Sequence, residues 1–253
     1  MSCLTGLYFW NVGNSTVCRQ TADIVLVLDQ STSIVTDDYE NWYTQILGFA
    51  VEIVMSFEIG LNNTQIGLLK FSDEVEVGFY LDDYHSEAAV SAAIRRLDIL
   101  GGDTNIAAAL QRTRSEMFSL VNGARSGVSK IMILVTDGSP TVDAHLTVPE
   151  AVATKEAGIE IFAVGITSRV NINIVRQIVS QPSDSHFFYV EMFSQLSHIV
   201  TSLVNASCAA IPRTVISTST ITTTTTTTVI STTRKRTTTN LATTSGTPGE
   251  LSV

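Results

Sequence analysis

The sequence predicts an α/β fold: a doubly wound, mostly parallel six-stranded sheet with one antiparallel edge strand and helices on both faces. Three observations carry this expectation. First, Ile24-Val25-Leu26-Val27-Leu28 and the run Ile131, Ile133, Leu134, Val135 are nearly continuous in apolar character, as parallel strands covered on both faces are. Second, Glu74-Val75-Glu76-Val77-Gly78-Phe79 alternates strictly, the mark of a half-exposed edge strand. Third, only Ser72 and Asp73 separate that segment from the strand before it, which permits a hairpin but no parallel crossover.

Strands are expected at 23–29, 64–71, 74–81, 129–136, 159–166 and 187–190. Between them, Tyr39, Trp42, Ile46, Phe49, Ile53 and Phe57 recur at helical spacing, with acids Asp37, Asp38 and Glu40 placed to favour the helix dipole. Ser86 before Glu87 reads as the cap of a helix running to about Leu97. Ile106, Leu110, Thr113, Met117 and Leu120 outline another helix, and Phe193, Leu196, Ile199 and Leu203 a last one, spanning Met192 to about Asn205. Strand and helix in turn define one doubly wound domain over 22–207, preceded by a flank, 1–21, and followed by a tail, 208–253.

The tail is compositionally distinct. Residues 214–247 hold 18 Thr and 4 Ser, too little apolar surface to offset the entropy of ordering, so a disordered segment is expected. Pro212 and Pro248 flank it, and Thr/Ser-rich composition with Pro is typical of O-glycosylated stalks. Arg234-Lys235-Arg236 interrupts it as a solvated charge cluster, or as a processing or glycosaminoglycan-contact site. From 213 onward four basic residues and Glu250 give +3, leaving −12 of the overall −9 on the preceding part. That balance disfavours nucleic acid, which needs a basic face, and suits cation binding.

No apolar stretch reaches the roughly 18 residues of a membrane helix. Met1 to Trp10 lacks a basic leading region and a clear cleavage site, so it makes a poor secretory signal. Other features nonetheless point to secretion, and the sequence is read as an incomplete chain of an extracellular protein. Three Asn-x-Ser/Thr sequons begin at Asn14, Asn62 and Asn205. Cys18 and Cys208 flank the domain symmetrically, and Cys3 is left over for an intermolecular bond.

The chemistry gathers at Asp29-Gln30-Ser31-Thr32-Ser33, directly after the first apolar run. Residues two apart on an extended segment share a side, so a carboxylate and two hydroxyls meet at the strand's carboxyl end. Oxygen donors with little charge suit a small hard cation. Alone, the string is also ordinary loop vocabulary. Two further segments strengthen it. Gly101-Gly102-Asp103-Thr104-Asn105 precedes a helix, and Thr136-Asp137-Gly138-Ser139-Pro140 ends the fourth strand. If the first and fourth strands are neighbours where strand order reverses, Asp29 and Asp137 face one crevice.

With these three motifs in this order, the chain resembles a von Willebrand factor type A domain of the matrix and adhesion kind (matrilin- and collagen-like), a Rossmann-like fold. The resemblance covers about 22–207. It implies a metal-ion-dependent adhesion site built from Asp29, Ser31, Ser33, Thr104 and Asp137, holding Mg²⁺ (or Mn²⁺ or Ca²⁺). In the family the hydroxyls bind the ion directly, the aspartates bind it directly or through water, and a partner's carboxylate completes the shell. Two carboxylates neutralise a divalent ion, and neutral hydroxyls keep it electrophilic toward that partner. The family often has small residues where this chain has Gln30 and Thr32, a departure that could reshape access to the ion.

With the metal at the carboxyl end of the sheet, the chain enters the first strand from the opposite end. The last helix should return to that same end, so Cys18 and Cys208 are expected to pair there and tether the helix whose shift switches affinity in some relatives. A locked domain with little switching follows as a hypothesis. Catalysis is not expected: the sequence has no phosphate-binding loop and no dinucleotide fingerprint, and His85, His145, His186 and His198 show no metal-ligand spacing. The functional expectation is an extracellular module that binds a protein partner, such as collagen or another matrix component, through its acidic side chain. The alternatives are a matrix-assembly module whose contacts bypass the metal, and an intracellular relative serving a chelatase or ATP-driven machine.

Overall fold

Among the described residues six strands follow one another: β1 (Ala22–Asp29), β2 (Gln65–Phe71), β3 (Val75–Phe79), β4 (Ser129–Thr136), β5 (Ile159–Ile166) and β6 (Phe187–Val190). The structure, a computed structural model, describes residues 17–36 and 40–212. Asp37, Asp38, Tyr39, Cys3, Asn14, Arg234-Lys235-Arg236, the Thr-rich tail from 213 and most of the N-terminal flank lie outside the described residues. The strands form one sheet in the order β3-β2-β1-β4-β5-β6. All pairings are parallel except β2 with β3, which gives the expected fold class.

Among the described residues eight α-helical segments accompany the strands: α1 (Thr32–Val35), α2 (Leu47–Met55), α3 (Glu87–Ile94), α4 (Ile106–Arg112), α5 (Thr147–Glu156), α6 (Ile172–Ile178), α7 (Ser183–His186) and α8 (Leu196–Ala210). Wider π-helical turns at Asn41–Ile46 and Thr113–Met117 lead into α2 and out of α4. Caps fix several starts. Ser86 accepts a bond from Ala89 N–H at 3.3 Å, Asn105 from Ala108 N–H at 2.9 Å and Asn171 from Ile174 N–H at 3.2 Å.

β1 lies at the centre, and all eight of its residues are buried. Its side chains alternate between faces. Ile24, Leu26 and Leu28 join a core with Trp42, Phe49 and Ile53 of the first helical stretch and Leu203 of α8. Val25 and Val27 join a second core with Ile106 and Leu110 of α4, Ala151 of α5 and Val175 of α6. At the foot of β1, buried Asp23 accepts bonds from the Arg125 backbone N–H at 2.7 Å and from its Nε at 2.8 Å. The same guanidinium donates to the carbonyls of Ala22 and Leu61, so this buried carboxylate is fully paired.

Some boundaries differ from the sequence reading. α3 stops at Ile94, short of Leu97, because Arg96 and Leu97 turn back to bond the carbonyls of Ala93 and Ile94. Helices α5 and α6 are additional; they bury only a few side chains each, so the sequence carries little periodic signal. The last helix begins at Leu196, after a tight turn at Phe193–Gln195, and continues to Ala210. Cys208 therefore sits inside its final turn rather than beyond it. Ile211 is extended, as the residue before Pro212 favours.

Cys18 and Cys208 form a disulfide across a separation of 190 residues, with Cα atoms 6.0 Å apart. Cys18 is also held to the end of α2, its N–H donating to Ser56 O at 2.8 Å and its carbonyl accepting from Glu58 N–H at 2.9 Å.

Candidate metal centre

β1 and β4 are adjacent at the point where strand order reverses, and their carboxyl ends carry Asp29 and, one residue beyond, Asp137. The loops there bring Ser31, Ser33 and Thr104 to a cleft of about 270 Å³, lined also by Thr32, Gly102, Asp103, Gly138, Ser139, Thr141 and Arg169. Asp29 lies directly beneath, fully buried. Its Oδ1 accepts the Ser31 N–H at 2.8 Å, and its Oδ2 accepts the Thr136 hydroxyl at 2.6 Å. Ser31 Oγ and Ser33 Oγ are 3.1 Å apart, and Ser33 Oγ donates to Asp137 Oδ1 at 2.6 Å. With its proton held by the carboxylate, Ser33 accepts from Ser31 in that contact and keeps one further lone pair.

Thr104 reaches the same place from its glycine loop. Its carbonyl accepts from Thr141 and Val142, and its N–H donates to Thr141 Oγ1 at 3.0 Å. Gly138 lies between the hydroxyls: a Cβ there would stand 3.3 Å from Thr104 Oγ1 and 3.9 Å from Ser33 Oγ. Gly102 is required for a different reason. Its φ is +118°, and a Cβ would fall 2.0 Å from Asp73 Oδ1, so only glycine fits.

Burial pushes the Asp29 carboxyl up to about 7, with the Asp137 charge adding to the effect and the bonds from Ser31 and Thr136 opposing it. Burial also raises Asp137, against the pull of Ser33 and Arg169. Burial thus favours the neutral form of both carboxyls, for Asp137 even beside the Arg169 guanidinium. Three hydroxyls and two under-compensated carboxylates around one cleft fit a hard divalent ion. Among the described residues there is no group of three or more His, Cys, Asp or Glu that could hold a metal ion.

The two unusual residues of the first loop act as ties. Gln30 is buried, and its Nε2 donates to Glu76 Oε1 at 2.6 Å on the edge strand. Glu76 in turn faces Lys70, whose ammonium donates to Asp98. Thr32 Oγ1 accepts from Gly102 N–H at 2.9 Å, while Thr32 N–H donates to Gly102 O at 2.8 Å. The first loop is thereby bound to the glycine loop and to β3.

Residues beyond the five expected donors complete the site. Thr136 holds Asp29, Gly138 leaves room, and Arg169 donates from Nη1 to Asp137 Oδ2 at 3.1 Å and to Ser33 O at 2.9 Å. Thr136 and Gly138 flank Asp137 and were discoverable from its loop. Arg169 lies in the loop between β5 and α6, where no pattern marks it. Elsewhere, His85, His145 and His198 are exposed, and His186 stacks on Phe162 with its Nε2 2.7 Å from Glu160. Asn62 is exposed before β2, and Asn205 is exposed on α8.

Comparison with known proteins identifies the family of the domain. Residues 23–202 match the model of the von Willebrand factor type A domain. Matrilin-1 of Gallus gallus is 31% identical over 197 residues, covering 76% of this chain, and the chain spans only 38% of that relative's length. The Collagen alpha-6(VI) chain of Homo sapiens is 32% identical over 191 residues, covering 75% of this chain and 8% of its own length. Proximal thread matrix protein 1 from the mussel byssus superposes with a TM-score of 0.72 at 29% identity, covering 76% of this chain and 49% of its own; its adhesion-site motif is occupied by zinc. The chain belongs to the von Willebrand factor type A domain family.

Proposed function

We propose that this chain is an extracellular adhesion or matrix module that binds a protein partner through a divalent cation held by Asp29, Ser31, Ser33, Thr104 and Asp137. The observation that carries the reading is the convergence of three hydroxyls and two buried carboxylates on one cleft at the carboxyl end of the sheet. Asp29 fixes the Ser31 backbone, Asp137 takes the Ser33 proton, and Gly138 leaves space between Ser33 and Thr104. Mg²⁺, with Mn²⁺ or Ca²⁺ as substitutes, would supply an electrophilic position for the carboxylate of a partner such as collagen or another matrix protein. The module acts by binding and not by catalysis.

The likeness to matrilins and a collagen VI chain supports a secreted, matrix setting, and the Cys18–Cys208 bond suits an oxidising compartment better than the cytosol of a chelatase-type machine. In this reading 22–207 is the binding domain and 208–253 an O-glycosylated tail. Asn14, Asn62 and Asn205 carry N-glycans, and Cys3 is available for a bond to another chain. The same likeness also favours an assembly module whose contacts bypass the metal. Binding to a panel of matrix proteins in Mg²⁺ and in EDTA decides between the two. Loss of binding in EDTA and in Asp29→Ala and Thr104→Ala supports the metal bridge, and binding untouched by all three leaves the assembly reading.

A further inference from the structure

Two threonines outside the donor set make the same pair of bonds. The Thr32 N–H donates to Gly102 O at 2.8 Å, and its Oγ1 accepts from Gly102 N–H at 2.9 Å. The Thr141 N–H donates to Thr104 O at 2.9 Å, and its Oγ1 accepts from Thr104 N–H at 3.0 Å. Each threonine thus brackets one residue of the glycine loop, engaging both its N–H and its carbonyl. Thr32 stands between Ser31 and Ser33 in the first loop, and Thr141 follows Asp137 in the loop after β4. The glycine loop is therefore tied to both other loops, with the exposed Asp103 between the two bracketed residues. The first and third loops also meet directly, where the Ser33 hydroxyl donates to Asp137 Oδ1 at 2.6 Å. The three loops that carry the donors are linked in a closed cycle.

We propose that Thr32 and Thr141 are positioning residues that set the spacing of the five donors and make the site selective for Mg²⁺ over the larger Ca²⁺. The proposal rests on the metal-dependent reading above. Mg²⁺ takes oxygen donors at about 2.0–2.1 Å in a near-octahedral shell, whereas Ca²⁺ takes them at about 2.3–2.6 Å and tolerates irregular geometry. Donors on separately mobile loops can spread to the longer distance. Donors on loops tied in a cycle can spread only by breaking a bond. Both threonine hydroxyls accept from a main-chain N–H, so losing either leaves that N–H unpaired and frees one side of the bracketed residue. Rigid spacing therefore adds to Mg²⁺ binding and contributes little to Ca²⁺.

The test is displacement of Mn²⁺ by Mg²⁺ and by Ca²⁺, read by water-proton relaxation, on the unsubstituted protein and on Thr32→Val and Thr141→Val. Each valine keeps the shape of the side chain and the bond from its own N–H but removes the accepting oxygen. Each should weaken Mg²⁺ about fivefold, the order of one net hydrogen bond, and change Ca²⁺ by less than about twofold. Thr32→Ser and Thr141→Ser keep the oxygen and should match the unsubstituted protein for both ions. An equal loss for both ions in the valine variants, the mark of a merely structural role, overturns the proposal, and so does no loss at all. Should the valine variants fail to fold, amide exchange in the unsubstituted protein decides. The Gly102 and Thr104 N–H groups must exchange more slowly in saturating Mg²⁺ than in saturating Ca²⁺, and equal rates overturn the proposal. Absence of Mn²⁺ binding in the unsubstituted protein overturns the metal-dependent reading, and this proposal with it.

Discussion

Asparagine in place of Asp29 should make the metal-free protein more stable while abolishing its response to metal. Burial, assisted by the Asp137 charge, raises the Asp29 carboxyl from its ordinary 3.8 to about 7. Folding therefore takes up a proton between those values. Stability falls as pH rises from about 4 to about 7, and the full penalty applies above that. The difference corresponds to ~4 kcal/mol at pH 8. Asparagine carries no such penalty, and it can preserve both bonds: its Oδ1 accepts the Ser31 N–H, and its Nδ2 donates to Thr136 Oγ1 if that hydroxyl turns toward Gly138 O, 3.4 Å away. Urea unfolding of metal-free protein at pH 5 and pH 8, with and without Mg²⁺, measures the effect. At pH 8 the variant should gain ~2–4 kcal/mol, with a smaller gain at pH 5, and Mg²⁺ should stabilise only the unsubstituted protein. A variant less stable at pH 8, or a difference independent of pH, would refute the reasoning.

Gly102→Ala should lose about 2 kcal/mol or more and bind Mg²⁺ more weakly, because the added Cβ meets Asp73 and the backbone is strained for any side chain; denaturant titration and calorimetry read both. Arg125→Ala should cost ~3–5 kcal/mol by leaving Asp23 buried without its partner, and adding Asp23→Asn should recover part of that loss. Reducing Cys18–Cys208 releases a loop with a separation of 190 residues and should destabilise by up to ~5 kcal/mol in the chain-entropy picture, measured as the urea midpoint with and without reductant.

The β1 and β4 runs were legible because parallel strands buried on both faces leave an unbroken apolar string, and the alternation from Glu74 to Phe79 marked the antiparallel edge. The five proposed donors could be named from their motifs: Asp29, Ser31, Ser33 and Asp137 follow directly on those two apolar runs, and Thr104 stands in the glycine loop that leads into α4. α5 and α6 were not legible. Each buries two or three side chains, some of them threonine and alanine, so the helical period hardly shows. Arg169 was invisible because its contact with Asp137 depends on β5 lying next to β4, which no local pattern records. The purpose of Gln30 was equally hidden, since its partner Glu76 is contributed by a strand two places away in the sheet.

The bond between Cys18 and Cys208 has a mechanical consequence. A pull applied to the chain on either side of the domain passes from one cysteine to the other through a single covalent link, and the residues enclosed by it carry none of the load. β1 cannot be peeled from the centre of the sheet by tension from its N-terminal side, nor α8 unwound from its C-terminal end past that link. The loops that carry Asp29, Ser31 and Ser33 lie at the other end of β1, away from that line of force. Tension on the flanking chain therefore leaves the geometry of that cleft undisturbed.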